Sequence, residues 1–153
     1  MAIRAPREKV WEATEDLSLI AKYHPDVGRV ELLSGDARRA PGVEYQCFVT
    51  EGPRQGNCIE RVIENIPYEM TSTLSVDDTW GLCKLLRDFV TDTSLSSADG
   101  QTTIVTMLGY YEPTGFMARI MNLLVIRRTM KKRGLDVLTG IKKMVEGDSS
   151  TPQ

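Results

Sequence analysis

The stretch PTGFMARIMNLLVIRRTMKKRGLDVLTGIKKMVEG, residues 113–147, decides the fold of this chain. No proline interrupts it after Pro113, Thr114 is suited to cap the start of a helix, and Gly147 is suited to end one. A helix of this length would extend about 48 Å, which is enough to cross a small domain from end to end. The segment therefore predicts one long C-terminal helix.

The residues before this helix follow the two-residue period of β-strands. Short turn segments separate six such runs, and the Asp99-Gly100 pair before the last run is a strong hairpin signal. Connections this short join antiparallel neighbours, so we expect a meander. The predicted strands are residues 27–33, 43–50, 57–66, 69–76, 84–97 and 101–112, and residues 1–4 can supply only a stub of a further strand.

Two short helices are predicted near the N-terminus. Pro6 is suited to the first position of a helix whose apolar side, including Trp11, recurs at helical spacing. Asp16 or Ser18 can cap a second helix, and Pro25 discourages helical geometry in the residue before it. Helices and strands are therefore segregated along the chain, which is typical of the α+β class.

Length and composition indicate one ordinary globular domain. The chain has 153 residues, of which 41% are hydrophobic and 26% charged. We expect a single domain over residues 1–147 and a disordered tail over residues 148–153. No run approaches the roughly 20 apolar residues that cross a bilayer, so stable membrane insertion is not expected. The three cysteines form no paired motif, which favours reduced thiols and a cytoplasmic location.

Short motifs along nearly the whole chain resemble those of the START and polyketide-cyclase superfamily. In order they are APREKVW (5–11), YHPDV (23–27), PGVEY (41–45), ERV (60–62), DGQTT (99–103) and YEPTG (111–115). Each motif is weak alone, but their order and spacing are specific. The resemblance implies a helix-grip fold, a curved antiparallel sheet of six to seven strands with two short N-terminal helices and one long C-terminal helix. Members usually have a longer first strand than residues 1–4 provide.

The resemblance also selects which face of the sheet points toward the long helix. With a turn over residues 51–56, alternation places side chains of both strands on a shared face. Neither face of the hairpin is cleanly apolar, so period alone leaves the inward side open. In hormone-receptor-like members the glutamate of the Glu-Arg-Leu/Val motif points inward, which here implies Glu60. The inward set is then Val43, Tyr45, Cys47, Val49, Cys58, Glu60, Val62 and Glu64, joined on the last strand by Val105, Met107, Gly109 and Tyr111.

Two cations interrupt the apolar stripe of the long helix. The stripe is Ile120, Leu124, Arg127, Lys131, Gly134, Leu138, Ile141 and Val145. Because burying an unpaired charge is costly, either the stripe rotates to use Leu123 and Met130, or the cations meet an anion such as Glu60 or a ligand carboxylate, or they extend to water. Gly134 and Gly140 each cost about 1 kcal/mol in a helix, which indicates a close approach of a strand or a ligand to the helix, or a tolerated kink.

The family includes lipid carriers, receptors, cyclases and quinone-binding proteins, so the fold leaves the function open. The first hypothesis is binding or transport of a hydrophobic or amphipathic small molecule of lipid, polyketide, quinone or aromatic type, between sheet and helix. The second is a cyclase, aromatase or dehydratase in which Glu60 is the catalytic acid and base. The candidate ligand-binding residues are Tyr45, Cys47, Glu60, Val62, Trp80, Val105, Met107, Tyr111, Leu124, Arg127 and Lys131.

Other classes of function have little support in the sequence. His24 is the only histidine and is interpreted as a turn residue bonded to backbone, so neither a histidine-rich metal site nor a Ser-His-Asp triad is expected. No motif predicts a metal or a cofactor. The basic run at residues 127–133 leaves open an interaction module, but the net charge of −2 argues against nucleic acid as a partner. We expect a monomer or a homodimer with a hydrophobic small molecule as its partner.

Overall fold

The structure is a computed structural model that describes residues 1–147, and the predicted tail lies outside the described residues. Local sequence sets most element boundaries, because prolines and glycines lie at the turns. The elements are β1 (Ala2–Ile3), α1 (Arg7–Glu15), a 3-10 turn (Leu17–Leu19), α2 (Ile20–Tyr23), β2 (Val27–Leu32), β3 (Glu44–Glu51), β4 (Arg54–Ile66), β5 (Met70–Asp78), α3 (Leu82–Leu85), β6 (Leu86–Ser97), β7 (Thr103–Pro113), α4 (Gly115–Met121), a π-helical turn (Asn122–Ile126) and α5 (Arg127–Gly147).

All seven strands of the described chain belong to one antiparallel sheet. Its order is β1-β7-β6-β5-β4-β3-β2, so each strand from β2 to β7 pairs with its neighbours in sequence and β1 closes the far edge. Register shifts interrupt the pairing of β2 with β3, of β4 with β5 and of β6 with β7. Such bulges bend strands and increase their twist. The predicted meander and the predicted helix-grip fold of the α+β class are both confirmed.

The β3–β4 hairpin has a tighter turn than expected and the predicted pairing of faces. Glu51 pairs with Arg54 across a two-residue turn, while Tyr45 lies opposite Glu60. The inward position predicted for Glu64 is wrong, because the register shifts between Val62 and Glu64 and exposes its side chain. Asn65 turns inward instead and donates a hydrogen bond to the carbonyl of residue 39 at 2.8 Å.

The long C-terminal helix is confirmed, although it is interrupted and its N-terminal half faces differently than predicted. Ile120 and Leu124 are exposed, so that half of the predicted stripe is wrong. The stripe that faces the sheet begins with Ala118 and Ile126, which are buried, and reaches half-buried Met130. The π-helical turn uses i to i+5 hydrogen bonds, which rotates the residues after it around the helix axis. Ile120 and Leu124 precede or belong to this turn and are therefore out of phase with the buried side chains of α5, whereas Arg127 and Lys131 follow it and are exposed.

The helix starts by a different interaction from the one predicted. Thr114 stands at the N-cap position, but its side chain forms no capping hydrogen bond. Its hydroxyl instead donates to the carbonyl of Lys84 at 2.7 Å. This hydrogen bond therefore fixes the start of α4 to α3.

The core lies between the C-terminal half of α5, the helix α1 and the concave face of the sheet. Leu138, Ile141 and Val145 of α5 are buried there with Trp11 of α1. Full burial of such side chains contributes about 1.5–3 kcal/mol each. The protein's own side chains therefore fill the space around Val145, near the C-terminal end of α5.

Candidate functional site

A cavity of about 1100 Å³ lies between the concave face of the sheet and α5. Apolar side chains from both layers line it, including Leu95, Met107 and Leu138. Ligand pockets are commonly 300–1000 Å³, so a molecule of lipid or polyketide size has room here. Of the residues predicted from the sequence, the structure places eight around the cavity, namely Tyr45, Cys47, Glu60, Trp80, Met107, Tyr111, Arg127 and Lys131.

The other three predicted residues do not line the cavity. Val62 and Val105 are fully buried in the core cluster, with no exposed surface left to contact a guest molecule. Leu124 belongs to the π-helical turn and is 68% exposed on the outside of the domain. Its predicted inward position depended on an uninterrupted helix, which the π-helical turn replaces.

The polar part of the wall is organised by Arg39, which the sequence analysis did not identify. Its Nη1 donates to the hydroxyl of Tyr45 at 3.2 Å, and its Nη2 donates to the hydroxyl of Tyr23 at 3.4 Å. Its Nε donates to the carbonyl of Thr14 at 3.0 Å. Because an arginine side chain stays protonated in proteins, these contacts hold a permanent positive charge inside the wall.

The local sequence offers no signal for this role. Arg39 follows Arg38 in the segment between β2 and β3, where charged residues are usually solvated. Arg38 does point outward and forms an ion pair with Glu15 at 3.5 Å. The backbone path of the segment turns Arg39 inward. Its amide donates a hydrogen bond to the carbonyl of Glu15 at 3.1 Å.

The two tyrosines are held as neutral phenols. Burial raises the pKa of both Tyr23 and Tyr45, and the charge of Arg39 opposes that rise without reversing it. Each phenol oxygen accepts a hydrogen bond from the guanidinium, so its own proton is free to point to another acceptor. Tyr45 lies directly opposite Glu60 across β3 and β4, and this neighbouring carboxylate adds to the rise of the Tyr45 pKa.

His24 lies on the same wall and is neutral at physiological pH. Burial lowers its pKa, against the opposing influence of Glu60 and Asp26. Its Nδ1 accepts a hydrogen bond from the amide of Asp26 at 3.2 Å, which confirms the predicted turn contact. The single proton of the neutral ring is therefore on Nε2.

Cys47 and Cys83 of the cavity wall are poor nucleophiles. Cys47 and Cys58 are direct partners across β3 and β4, and their hydrogen bond together with burial raises the pKa of Cys47 far above its usual range. Burial and a hydrogen bond to Asp78 raise the pKa of Cys83 to about 12. Because only a thiolate attacks efficiently, these side chains act as small apolar groups, as interpreted from the sequence.

Trp80 lies at the edge of the cavity on a segment that Asp78 holds in place. The Asp78 carboxylate accepts hydrogen bonds from the amides of Trp80, Leu82 and Cys83 at 2.8, 2.9 and 2.6 Å. The indole packs against Gly56 so closely that a Cβ there would stand 2.5 Å from the ring. The side chain is 38% exposed, so it borders both the cavity and the solvent.

The described residues contain neither a cluster of metal ligands nor a membrane-spanning helix. Residues 1–147 contain no group of three or more histidine, cysteine, aspartate or glutamate side chains arranged to hold a metal ion. No helix within that range is both long and apolar enough to span a bilayer.

Solved structures with the same fold include proteins of several activities. A point mutant of norcoclaurine synthase from Thalictrum flavum, in complex with a transition-state analogue, has a TM-score of 0.76 at 13% identity, covering 98% of this chain and 92% of its own. The Zhui aromatase/cyclase from Streptomyces has a TM-score of 0.73 at 14% identity, covering 95% and 90%. A START superfamily protein from Mycobacterium smegmatis has a TM-score of 0.73 at 12% identity, covering 96% and 94%. At these identities the likeness shows the fold alone.

Sequence comparison identifies the family. No curated protein matches the chain. A family model described as polyketide cyclase/dehydrase and lipid transport does match it, over residues 1–146. The match covers nearly the whole chain, and it agrees with the motifs, the sheet topology and the cavity between sheet and helix. The chain therefore belongs to the polyketide cyclase/dehydrase and lipid transport family.

Proposed function

We propose that this protein binds and carries a hydrophobic or amphipathic small molecule in the cavity between the sheet and α5. One observation carries the proposal: a cavity of about 1100 Å³ with mainly apolar walls contains an organised polar cluster, formed by Arg39 with Tyr23 and Tyr45. A few convergent polar groups in an apolar pocket are typical of a site that takes one end of an amphipathic ligand.

The hydrogen-bond pattern assigns different tasks to the two tyrosines. Tyr45 lies opposite Glu60 across the two strands, while Tyr23 accepts from Arg39 and can donate its proton into the cavity. A ligand carboxylate, phenolate or carbonyl oxygen beside Tyr23 would then receive a hydrogen bond and lie in the field of the arginine. The apolar part of the ligand would extend along Leu95 and Met107, and the opposite end would reach the edge of the cavity.

The side chains proposed to cover the exposed end of the ligand, at the edge of the cavity, are cationic or aromatic. Arg127 and Lys131 of α5 border the cavity, as does Trp80 on the other side. Long cationic side chains can cover apolar surface with their stems and keep their charges in water. They would therefore shield the open end of the ligand without a buried counter-ion.

Tyr23→Phe tests this proposal, because it removes one hydroxyl and keeps the ring. A fluorescent fatty acid and its methyl ester are titrated against both proteins, and native mass spectrometry of protein purified from its own host looks for a retained molecule. We expect the variant to bind the acid about tenfold more weakly, since hydrogen bonds to charged groups contribute about 1.5–3 kcal/mol. The ester should lose less affinity, because it carries no charge.

Tyr68→Phe is the matched control, because Tyr68 is 41% exposed and its ring contacts Trp11 rather than the cavity. The control should bind both probes as the wild type does. Failure of the wild-type protein to bind either probe, together with no retained molecule, would count against the carrier function.

A cyclase-type enzyme is the second candidate, and the position of Glu60 favours it. The Glu60 carboxylate lies in the cavity wall beside the Tyr45 phenol and near the neutral His24 ring. A carboxylate, a phenol and an imidazole on one wall could transfer protons in an aldol-type ring closure. Glu60→Gln separates the two candidates: lost turnover of a linear polyketone with intact binding would support an enzyme, and no turnover by the wild type would favour the carrier.

A further inference from the structure

The segment before α5 exposes a continuous group of large apolar side chains, which we call the apolar ridge. Phe116 and Leu123 are each 76% exposed, which is unusual for such residues in a water-soluble domain. The ridge belongs to α4 and the π-helical turn and contains Phe116, Met117, Ile120, Met121, Leu123, Leu124 and Val125. Part of the predicted inward stripe of the helix therefore faces solvent.

Positive charge is concentrated on the same segment. Residues 113–135 contain six basic side chains, Arg119, Arg127, Arg128, Lys131, Lys132 and Arg133, and no acidic one. The rest of the chain has 13 basic against 21 acidic side chains, so the segment differs in sign from the molecule that carries it. Lys132 forms an ion pair with Asp136 at 2.6 Å, just beyond the segment.

We propose that the apolar ridge and its cations form a docking surface for an anionic lipid bilayer. Large apolar side chains on a short helical segment can enter the boundary between headgroups and acyl chains. Lysine and arginine beside them are attracted to anionic headgroups. The apolar ridge supplies the first interaction, and exposed cations of the same segment, such as Arg119 and Arg128, supply the second. Docking of this kind needs no helix that spans the membrane.

Charge also argues against a second copy of the chain as the occupant of this surface. A symmetric dimer brings the same patch of both subunits together. Two segments with six basic residues each and no acidic residue would then face one another, and like charges repel. An anionic bilayer offers the opposite charge and also covers the apolar side chains.

The position of the surface connects it to the cavity. Arg127, Lys131 and Leu135 belong to the same stretch of helix and line the cavity. When the protein is docked on the bilayer, the edge of its cavity would therefore lie near the lipids. An amphipathic ligand could then pass from the bilayer into the cavity. This last step rests on the proposed function, whereas docking itself does not.

Vesicle co-sedimentation of the full chain tests the docking. Vesicles of phosphatidylcholine alone are compared with vesicles that also contain phosphatidylglycerol. We expect binding to the anionic vesicles, weaker binding to the neutral ones, and a loss of binding as salt is raised, because salt screens the attraction. Equal binding to both kinds of vesicle, or binding to neither, would overturn the proposal.

Two double variants separate the apolar and the charged contributions. Phe116→Glu with Leu123→Glu changes the apolar ridge, and Arg119→Glu with Arg128→Glu reverses two charges; none of the four residues lines the cavity. Each double variant should bind anionic vesicles at least about tenfold more weakly. The matched control is Leu32→Glu with Leu33→Glu, on side chains 41% and 46% exposed elsewhere, and it should lose much less.

The fatty-acid titration run in parallel distinguishes failure of docking from failure of the carrier function. All three double variants should bind the fluorescent fatty acid as the wild type does. Lost vesicle binding with intact fatty-acid binding supports the docking surface, and vesicle binding without fatty-acid binding would refute only the carrier function. A concentration-dependent dimer that the Phe116 and Leu123 changes abolish would show that a second copy covers the ridge, and would overturn the proposal.

Discussion

The carbonyl oxygen of Tyr23 lies so close to Gly140 that a methyl group added to this glycine would overlap it. The end of α2 thereby meets the middle of α5 backbone to backbone. The contact also brings Tyr23, with its hydroxyl bonded to Arg39, to the cavity between helix and sheet. A glycine that costs stability in the helix is thus required by the packing that builds the site.

Gly140→Ala should destabilise the fold strongly. The added methyl group has to displace the Tyr23 backbone, and overpacking of this kind costs about 1–3 kcal/mol or more. We expect the midpoint of urea unfolding to fall accordingly. The measurement is equilibrium unfolding followed by circular dichroism.

Gly134→Ala is the control for that experiment, because a Cβ at Gly134 would meet only the sulfur of Met107 at 3.7 Å. This is an ordinary contact distance, so the substitution should stabilise the helix by about 0.5–1 kcal/mol. Equal unfolding midpoints for the two alanine variants would contradict the close approach of α2 to Gly140.

Arg39→Met should destabilise the protein and weaken binding of the fluorescent fatty acid. It removes a donor from Tyr23, Tyr45 and the carbonyl of Thr14, and a partly buried group that loses its hydrogen bond costs about 1–3 kcal/mol. Arg38→Met is the matched control, since Arg38 forms only an exposed ion pair. Its effect should remain within about 0.5 kcal/mol. Similar losses in both variants would rule out an organising role for Arg39.

Stability should decline as the pH falls below about 6.5, the usual pKa of histidine. Burial holds the pKa of His24 below that value in the folded protein, so the unfolded chain takes up a proton first. The unfolded state then binds more protons, which lowers the free energy of unfolding until the pH reaches the folded pKa. His24 is the only histidine, so it is the only side chain whose ordinary pKa lies close to this pH.

His24→Asn tests the assignment, because the asparagine oxygen can still accept from the Asp26 amide. Urea unfolding of both proteins is measured at several values between pH 7.5 and pH 5. The variant should lose less stability than the wild type over this range. Parallel curves would show that His24 is not the group that titrates.

Several features that depend on neighbours in sequence were predicted correctly, although the cap at Thr114 was not. The proline-free segment after Pro113 forms the long helix, and Asp99-Gly100 lies in the turn between β6 and β7. Alternation identified Tyr45 and Glu60 as residues of one face. Period and turn chemistry are set within a few residues, which is why a single sequence reveals them.

The errors arise where distant packing changes a local phase. A register shift against β5 turned Glu64 outward, and a π-helical turn placed Leu124 outside the cavity. The amino-acid pattern of the strand or helix concerned does not indicate either shift. A change of one residue in phase is enough to move a side chain to the other face.

The sequence by itself determined the helix-grip fold, and its resemblance to the family selected the face of the sheet that points toward α5. Only the tertiary structure decided that Arg39, and not Arg38, joins Tyr23 and Tyr45 in the cavity wall, and that the apolar ridge remains exposed. The physical reason is that turns and periods are local, whereas a binding site is assembled from side chains far apart along the chain. Their meeting depends on how whole elements pack.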